Sequence, residues 1–237
     1  MTILASVWGI APGAGKSTLC SALSATLAGA GLRVDYFREE EILTRPEFAD
    51  VAAEFRQTGT VTLKALLTSS ARFADAARAG GADVVVADAL APYVPTLLAM
   101  GHGDQEIAAF TTDLAGTLSE ISPVLIYLDG DAGAALARAA EREGPQRLSS
   151  YIGKLARCQV RPPVRDLASA IGYLQRERTV TLAAAHRMGW PLIPVSGATE
   201  LPPAQVLAIA QQGLRPWLAQ PRTQTPRRLR HDDSSSG

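Results

Sequence analysis

The chain has 237 residues, 47% hydrophobic and 19% charged, and its 23 Lys and Arg balance 23 Asp and Glu. That length supports one domain with a substantial core, and zero net charge excludes a general attraction to nucleic acid or anionic membrane, leaving only local basic patches. Three of the 23 basic residues are lysines (Lys16, Lys64, Lys154), and asparagine is absent, which removes N-linked glycosylation acceptors and the Asn-Lys-x-Asp motif that reads guanine.

The first seven or eight residues are apolar but lack a basic flank and stop at Gly9, so they predict a buried strand over 3–8 rather than a signal peptide or membrane span. No later stretch reaches the roughly 20 apolar residues a span needs. The expectation is a cytoplasmic chain without membrane or nucleic-acid partners, its oligomeric state open and a homodimer allowed. Cys20 and Cys158 lie far apart and suggest neither a disulfide framework nor a zinc motif.

Further short apolar runs predict strands at 33–37, 83–87, 124–128 and 191–195. Between them, helical patterns cover 17–28, 47–57, 61–79, 104–121, 133–142, 166–188 and 203–214. Such alternation predicts βαβ units: an α/β fold with a five-stranded parallel sheet inside a three-layer α/β/α sandwich. The segment 144–164, rich in Gly, Pro and Arg, breaks the period and reads as a loop or mobile lid containing a short helix. The domain is thus expected over 1–217, with a lid at 143–165 and a disordered Pro/Arg/Gln and Ser-rich tail over 218–237.

One local motif dominates. Gly9-Ile10-Ala11-Pro12-Gly13-Ala14-Gly15-Lys16-Ser17-Thr18 follows a predicted strand and opens a predicted helix, the context of a phosphate-binding P-loop. Glycines let backbone N–H groups converge on phosphate oxygens, the helix N-terminus adds a positive dipole end, and Lys16 neutralises charge on the outer phosphates. Gly13, Ala14, Gly15, Lys16, Ser17 and Thr18 are the candidate cradle for ATP, with Ser17 ligating Mg²⁺. In G-x-x-x-x-G-K-[ST] the first glycine falls at position 10; here it stands one residue early, at Gly9, which reshapes the entry to the turn. The alternative is a tight glycine-rich connection and nothing more.

Such a cradle needs a carboxylate on the metal side at the end of a neighbouring buried strand. Asp88, closing Asp83-Val84-Val85-Val86-Ala87-Asp88, meets that need; capping the next helix is its other reading.

With these residues in place, the chain resembles the P-loop nucleoside and nucleotide kinases, the thymidylate and deoxynucleoside kinase branch in particular, over most of 3–214. Phe37-Arg38-Glu39-Glu40 is similar to the Arg-Glu-Pro after the second strand of thymidylate kinases, without the proline and the Gly-Gly-Thr. The resemblance implies that Glu39 acts as base toward an acceptor hydroxyl. It also implies that Arg138 and Arg142, four apart and followed by the lid, stabilise charge on the transferring phosphoryl group; helix-surface pairing with Glu141 or Glu143 is the alternative. The stretch 190–199 resembles the family's last strand and the loop resting on adenine.

Those families place an arginine directly after the third-strand carboxylate, whereas here Ala89-Leu90-Ala91-Pro92-Tyr93 follows Asp88. A small-molecule acceptor outside thymidylate metabolism is therefore expected, met by Glu39, Arg72 and Tyr93. Arg72 and Arg78 read equally as surface charges around a core Phe73. Tyr93, Phe110 and Tyr151 offer stacking surfaces or core packing. Glu39-Glu40-Glu41 serves a cation or a helix start. The three histidines show no metal or nucleophile spacing. The leading expectation is an ATP·Mg²⁺-dependent small-molecule kinase. A partitioning-type ATPase and a nucleotide-binding protein without catalysis are the alternatives.

Overall fold

A computed structural model describes residues 1–88, 90–144 and 146–219 of the chain. The fold is α/β, built on five parallel strands in the order β2-β3-β1-β4-β5. These are β1 (Ile3–Gly9), β2 (Val34–Phe37), β3 (Val84–Asp88), β4 (Ser122–Leu128) and β5 (Leu192–Val195). Among the described residues the helices are α1 (Lys16–Gly29), α2 (Ala49–Thr58), α3 (Leu63–Ala79), α4 (Val94–Ala99), α5 (Asp104–Thr117), α6 (Ala132–Glu143), α7 (Gln146–Arg157), α8 (Leu167–Arg187) and α9 (Pro203–Leu218). Tight 3-10 turns at Glu39–Leu43 and Pro46–Phe48 complete the connection after β2.

Burial on both faces explains the near-continuous apolar runs. Every residue of β1 and β3 is buried, so neither strand alternates in polarity. Helix α1 packs on the strands and against α9, while α3 meets α5, and α8 meets α4, α5, α6 and α7. That grouping is compatible with three layers.

Strand limits shift by a residue or two from the expected ones, and one shift matters: β3 begins after Asp83 and ends on Asp88. Asp83 instead accepts from the Arg33 backbone N–H at 2.8 Å, closing the start of β2. Larger differences lie in the helices. The stretch expected as a helix over 47–57 starts as the Pro46–Phe48 turn, because proline favours an abrupt entry, and 104–121 stops at Thr117. Helix α4 was not expected from the sequence. The lid segment carries α7, twelve residues with Leu155 buried, and Gln159 N–H donates to Ala99 O at 2.8 Å, tying it to α4. Helix α9 continues through Pro216 to Leu218. Pro145 and residues 220–237, which hold nearly all of the expected tail, lie outside the described residues.

No described helix is long and apolar enough to cross a membrane.

Candidate functional site

In an open parallel sheet, ligands sit beyond the carboxyl ends of the strands. The order places the ends of β1, β3 and β4 side by side, with Val7 opposite Asp88 on one flank and Gly9 opposite Leu128 on the other. The glycine-rich turn leaves β1 at this point.

Its course is fixed by backbone geometry. Ile10 N–H donates to Leu128 O at 2.9 Å, and Ala14 N–H returns to Ala11 O at 3.3 Å. Gly13 (φ 86°) and Gly15 (φ 93°) adopt left-handed conformations that other residues rarely accept. A Cβ on Gly13 would stand 2.7 Å from Ala135 O and 2.9 Å from Ala139 Cβ, so α6 lies directly on the turn. The early Gly9 has its own steric reason: a Cβ there would press on Ala14 and Leu128 at 3.1 and 3.2 Å.

Gly15 then serves as N-cap of α1, which has no side-chain cap. The first N–H groups of α1 have no partner within the helix and carry its positive end. Lys16 is half-buried there, and Ser17 and Thr18 are exposed. Tyr36, from β2, donates its hydroxyl to Ser17 O at 3.5 Å.

At the end of the neighbouring strand, Asp88 is 3% exposed, and its Oδ1 is buried without a hydrogen-bond partner in the structure. An orphaned buried carboxylate oxygen is costly unless something electropositive satisfies it. The charge of Asp88 reaches both Cys20 and Tyr36. Burial first, then Asp88, drive the Cys20 thiol well above its usual range, and burial, then Cys20, then Asp88 raise the Tyr36 hydroxyl to about 12. Asp88, Ser17 and Tyr36 thus share one corner with Lys16, whose charge opposes the shift at Cys20. A hard cation prefers oxygen donors and retains waters, which matches one carboxylate and one hydroxyl. Among the described residues no group of three or more His, Cys, Asp and Glu could hold a metal unaided.

Residues 91–93 are pinned. Ser6 Oγ and Trp8 Nε1, the latter at 2.6 Å, both donate to Ala91 O. Tyr93 sits at φ 62°, a strained position for a bulky residue, and is locked by its hydroxyl against Ser70 Oγ at 2.9 Å and by its ring edge-on to Phe110. At 3% exposure its ring belongs to the core.

The remaining candidates are dispersed. Glu39 lies exposed on the first 3-10 turn, while Glu41 accepts from Arg45 Nε at 3.0 Å. Arg72 pairs with Asp50 at 2.7 Å, both about half exposed, and Arg78 pairs with Asp75 and Glu120 at the surface. Arg138 is half-buried with its Nε unpartnered, on the helix that covers Gly13. Arg142 points to solvent and binds Glu143 at 2.6 Å. The loop after β5 rests on the end of β4, with Thr199 packed on Gly130.

One titratable group near the turn escaped sequence reading. Glu177 is the acidic member of a stripe on α8 whose buried residues include Ala170, Tyr173, Leu174, Thr181 and Ala184. A glutamate spaced three or four from apolar and small neighbours on both sides was the available signal. Burial raises its carboxyl to about 7, against the pull of Lys16 and a hydrogen bond from Tyr173.

Compared with known proteins, the chain matches no family model and no curated sequence.

Proposed function

We propose that this protein is an ATP·Mg²⁺-dependent phosphotransferase acting on a small molecule, a P-loop kinase built as a three-layer sandwich. The observation that carries the reading is the juxtaposition of an uncapped α1 N-terminus, entered through left-handed Gly15 and bearing Lys16, with the buried, unpartnered Oδ1 of Asp88. The first feature suits an anion; the second suits a cation. A metal-bound polyphosphate presents both.

In this reading Gly13, Ala14, Gly15 and the N–H groups of Lys16, Ser17 and Thr18 wrap the phosphates, and Lys16 neutralises their charge. Ser17 and Asp88 hold the magnesium ion, directly or through water, and the ion supplies charge neutralisation at the transferring group. Arg138 approaches the phosphates from α6; Arg142 would first have to leave Glu143. The acceptor lies beyond the phosphates, toward the connections that follow β2 and β3.

The test is calorimetric and catalytic. Mg·ATP should bind the full chain in the micromolar range typical of such sites, roughly −8 kcal/mol, and ADP release should depend on an acceptor that gains a phosphoryl group. Lys16→Ala should abolish turnover. Partner-stimulated hydrolysis without a phosphorylated product would instead favour a regulatory ATPase.

A further inference from the structure

A cavity of about 350 Å³ opens at the amino ends of β2 and β3, the opposite end of these strands from the glycine-rich turn. Its volume falls in the range of small-ligand pockets. Three parts of the chain line it: the start of β2, the second half of α3, and the segment around Arg45 and Glu47. That segment doubles back along the free edge of the sheet, since Arg45 reaches both Asp35 and Tyr36 O on β2. One wall is apolar, formed by Phe73, Ala76 and Ala77 of α3. Phe73 is fixed there by the Phe37 ring, edge-on at 5.7 Å, and by the Phe48 ring at 6.0 Å. Phe48 is fully buried and anchors the Pro46–Phe48 turn, and with it the position of Glu47.

The charges around the cavity do not balance. Arg45 is held by Asp35, Glu41 and Tyr36 O, and Arg33 pairs with Asp83 at 3.5 Å. Two arginines thus stand among four carboxylates: Asp35, Glu41, Asp83 and Glu47. Glu47 is the carboxylate that neither arginine meets, and its Oε2 is buried without a hydrogen-bond partner. Such an oxygen calls for a donor, and a charged donor satisfies it best. We propose that this cavity binds a small organic cation, an ammonium or amidinium group carried on an apolar body. The charged group donates to Glu47, and the body lies against Phe73, Ala76 and Ala77. An anion would meet the excess of carboxylates with both arginines already occupied, and a neutral molecule of the same shape would leave the Glu47 charge uncompensated. The site is separate from the glycine-rich turn and does not rest on the phosphotransferase reading.

The full chain and its Glu47→Gln and Ala76→Phe variants are titrated with phenethylamine and benzamidine, and with phenethyl alcohol and phenylacetate as neutral and anionic counterparts. Calorimetry gives the affinities, backbone amide NMR locates the ligand, and cooperative thermal melts certify the fold of each variant. Both cations should bind the unmodified chain with Kd of about 1 mM or tighter, as expected for ligands of this size. The alcohol and the carboxylate should bind about 10-fold more weakly or not at all. Amide shifts should centre on residues 33–35 and 76–82. Glu47→Gln should weaken the cations about 10-fold, and Ala76→Phe, which fills the cavity, should abolish their binding. Absence of cation binding at about 10 mM, equal affinity for the neutral or anionic counterpart, shifts centred elsewhere, or affinity indifferent to a folded variant overturns the proposal.

Discussion

At the scale of single residues, two opposite orphans define the candidate site: N–H groups at the start of α1 and the buried Oδ1 of Asp88. Gly13 sets how closely α6 can approach the first of these. Gly13→Ala must place a methyl group against Ala135 O and Ala139 at a backbone angle that alanine disfavours. Urea denaturation should register a loss of about 2–4 kcal/mol, and a loss under about 0.5 kcal/mol would mean that α6 yields freely. Glu177 makes a pH prediction. Its carboxyl titrates near 7 in the folded chain and near 4.5 when unfolded, among Lys16, Tyr127, Tyr151 and Tyr173. The folded state therefore binds more protons between those values, and stability falls as pH rises through that window. Glu177→Gln should remove this slope in nucleotide-free protein, as measured by thermal melts across pH 4.5–7. Asp129, held below the usual carboxylate range by Arg178, acts the other way and loses its contribution only at more acid pH.

At the scale of elements, side-chain hydrogen bonds tie down the connections after β2 and β3. Arg45 gathers the first: it bonds Asp35 at 2.8 and 2.7 Å, Glu41 at 3.0 Å and Tyr36 O at 3.3 Å, and lies 4.5 Å over the Phe37 ring. Arg45→Met should cost roughly 2–3 kcal/mol and loosen Tyr36 beside Ser17, with chemical denaturation and tyrosine fluorescence as the readouts. An unchanged midpoint would make the cluster ornamental. Trp8→Phe removes one of the two donors to Ala91 O, and about 1 kcal/mol of stability with it.

Legibility followed pattern strength at this same scale. Strands β1 and β3 and helix α1 were readable because buried parallel strands need unbroken apolar runs and because glycines with Lys-Ser-Thr mark the strand-to-helix turn. Helix α4 is six residues long and begins beside proline, too short for a period to emerge. The short helix expected inside the Gly-, Pro- and Arg-rich segment is α7, whose limits that composition could not give; contacts such as Gln159 N–H to Ala99 O fix the segment just after it. The helix expected over 203–214 runs on as α9 through Pro216 to Leu218. In the site, residues contiguous in sequence were found together, whereas Glu177 comes near Lys16 only through the packing of α8. The partners of Arg72, Arg142 and Tyr93 are likewise products of folding, and sequence left their roles open.

At the scale of the molecule, zero net charge averages over a cleft that sorts its charges. Lys16 and Arg138 lie around the glycine-rich turn, Asp88 closes the neighbouring strand β3, and Glu177 on α8 feels the Lys16 charge. One of only three lysines in the chain occupies that turn. The most direct test of the account is calorimetric titration of the full chain with ATP, with and without Mg²⁺, alongside Lys16→Ala and Asp88→Asn. The account predicts saturable 1:1 binding that Lys16→Ala abolishes, together with a Mg²⁺ enhancement that Asp88→Asn removes while binding of metal-free ATP persists. Absence of ATP binding, or binding indifferent to both substitutions, would contradict it.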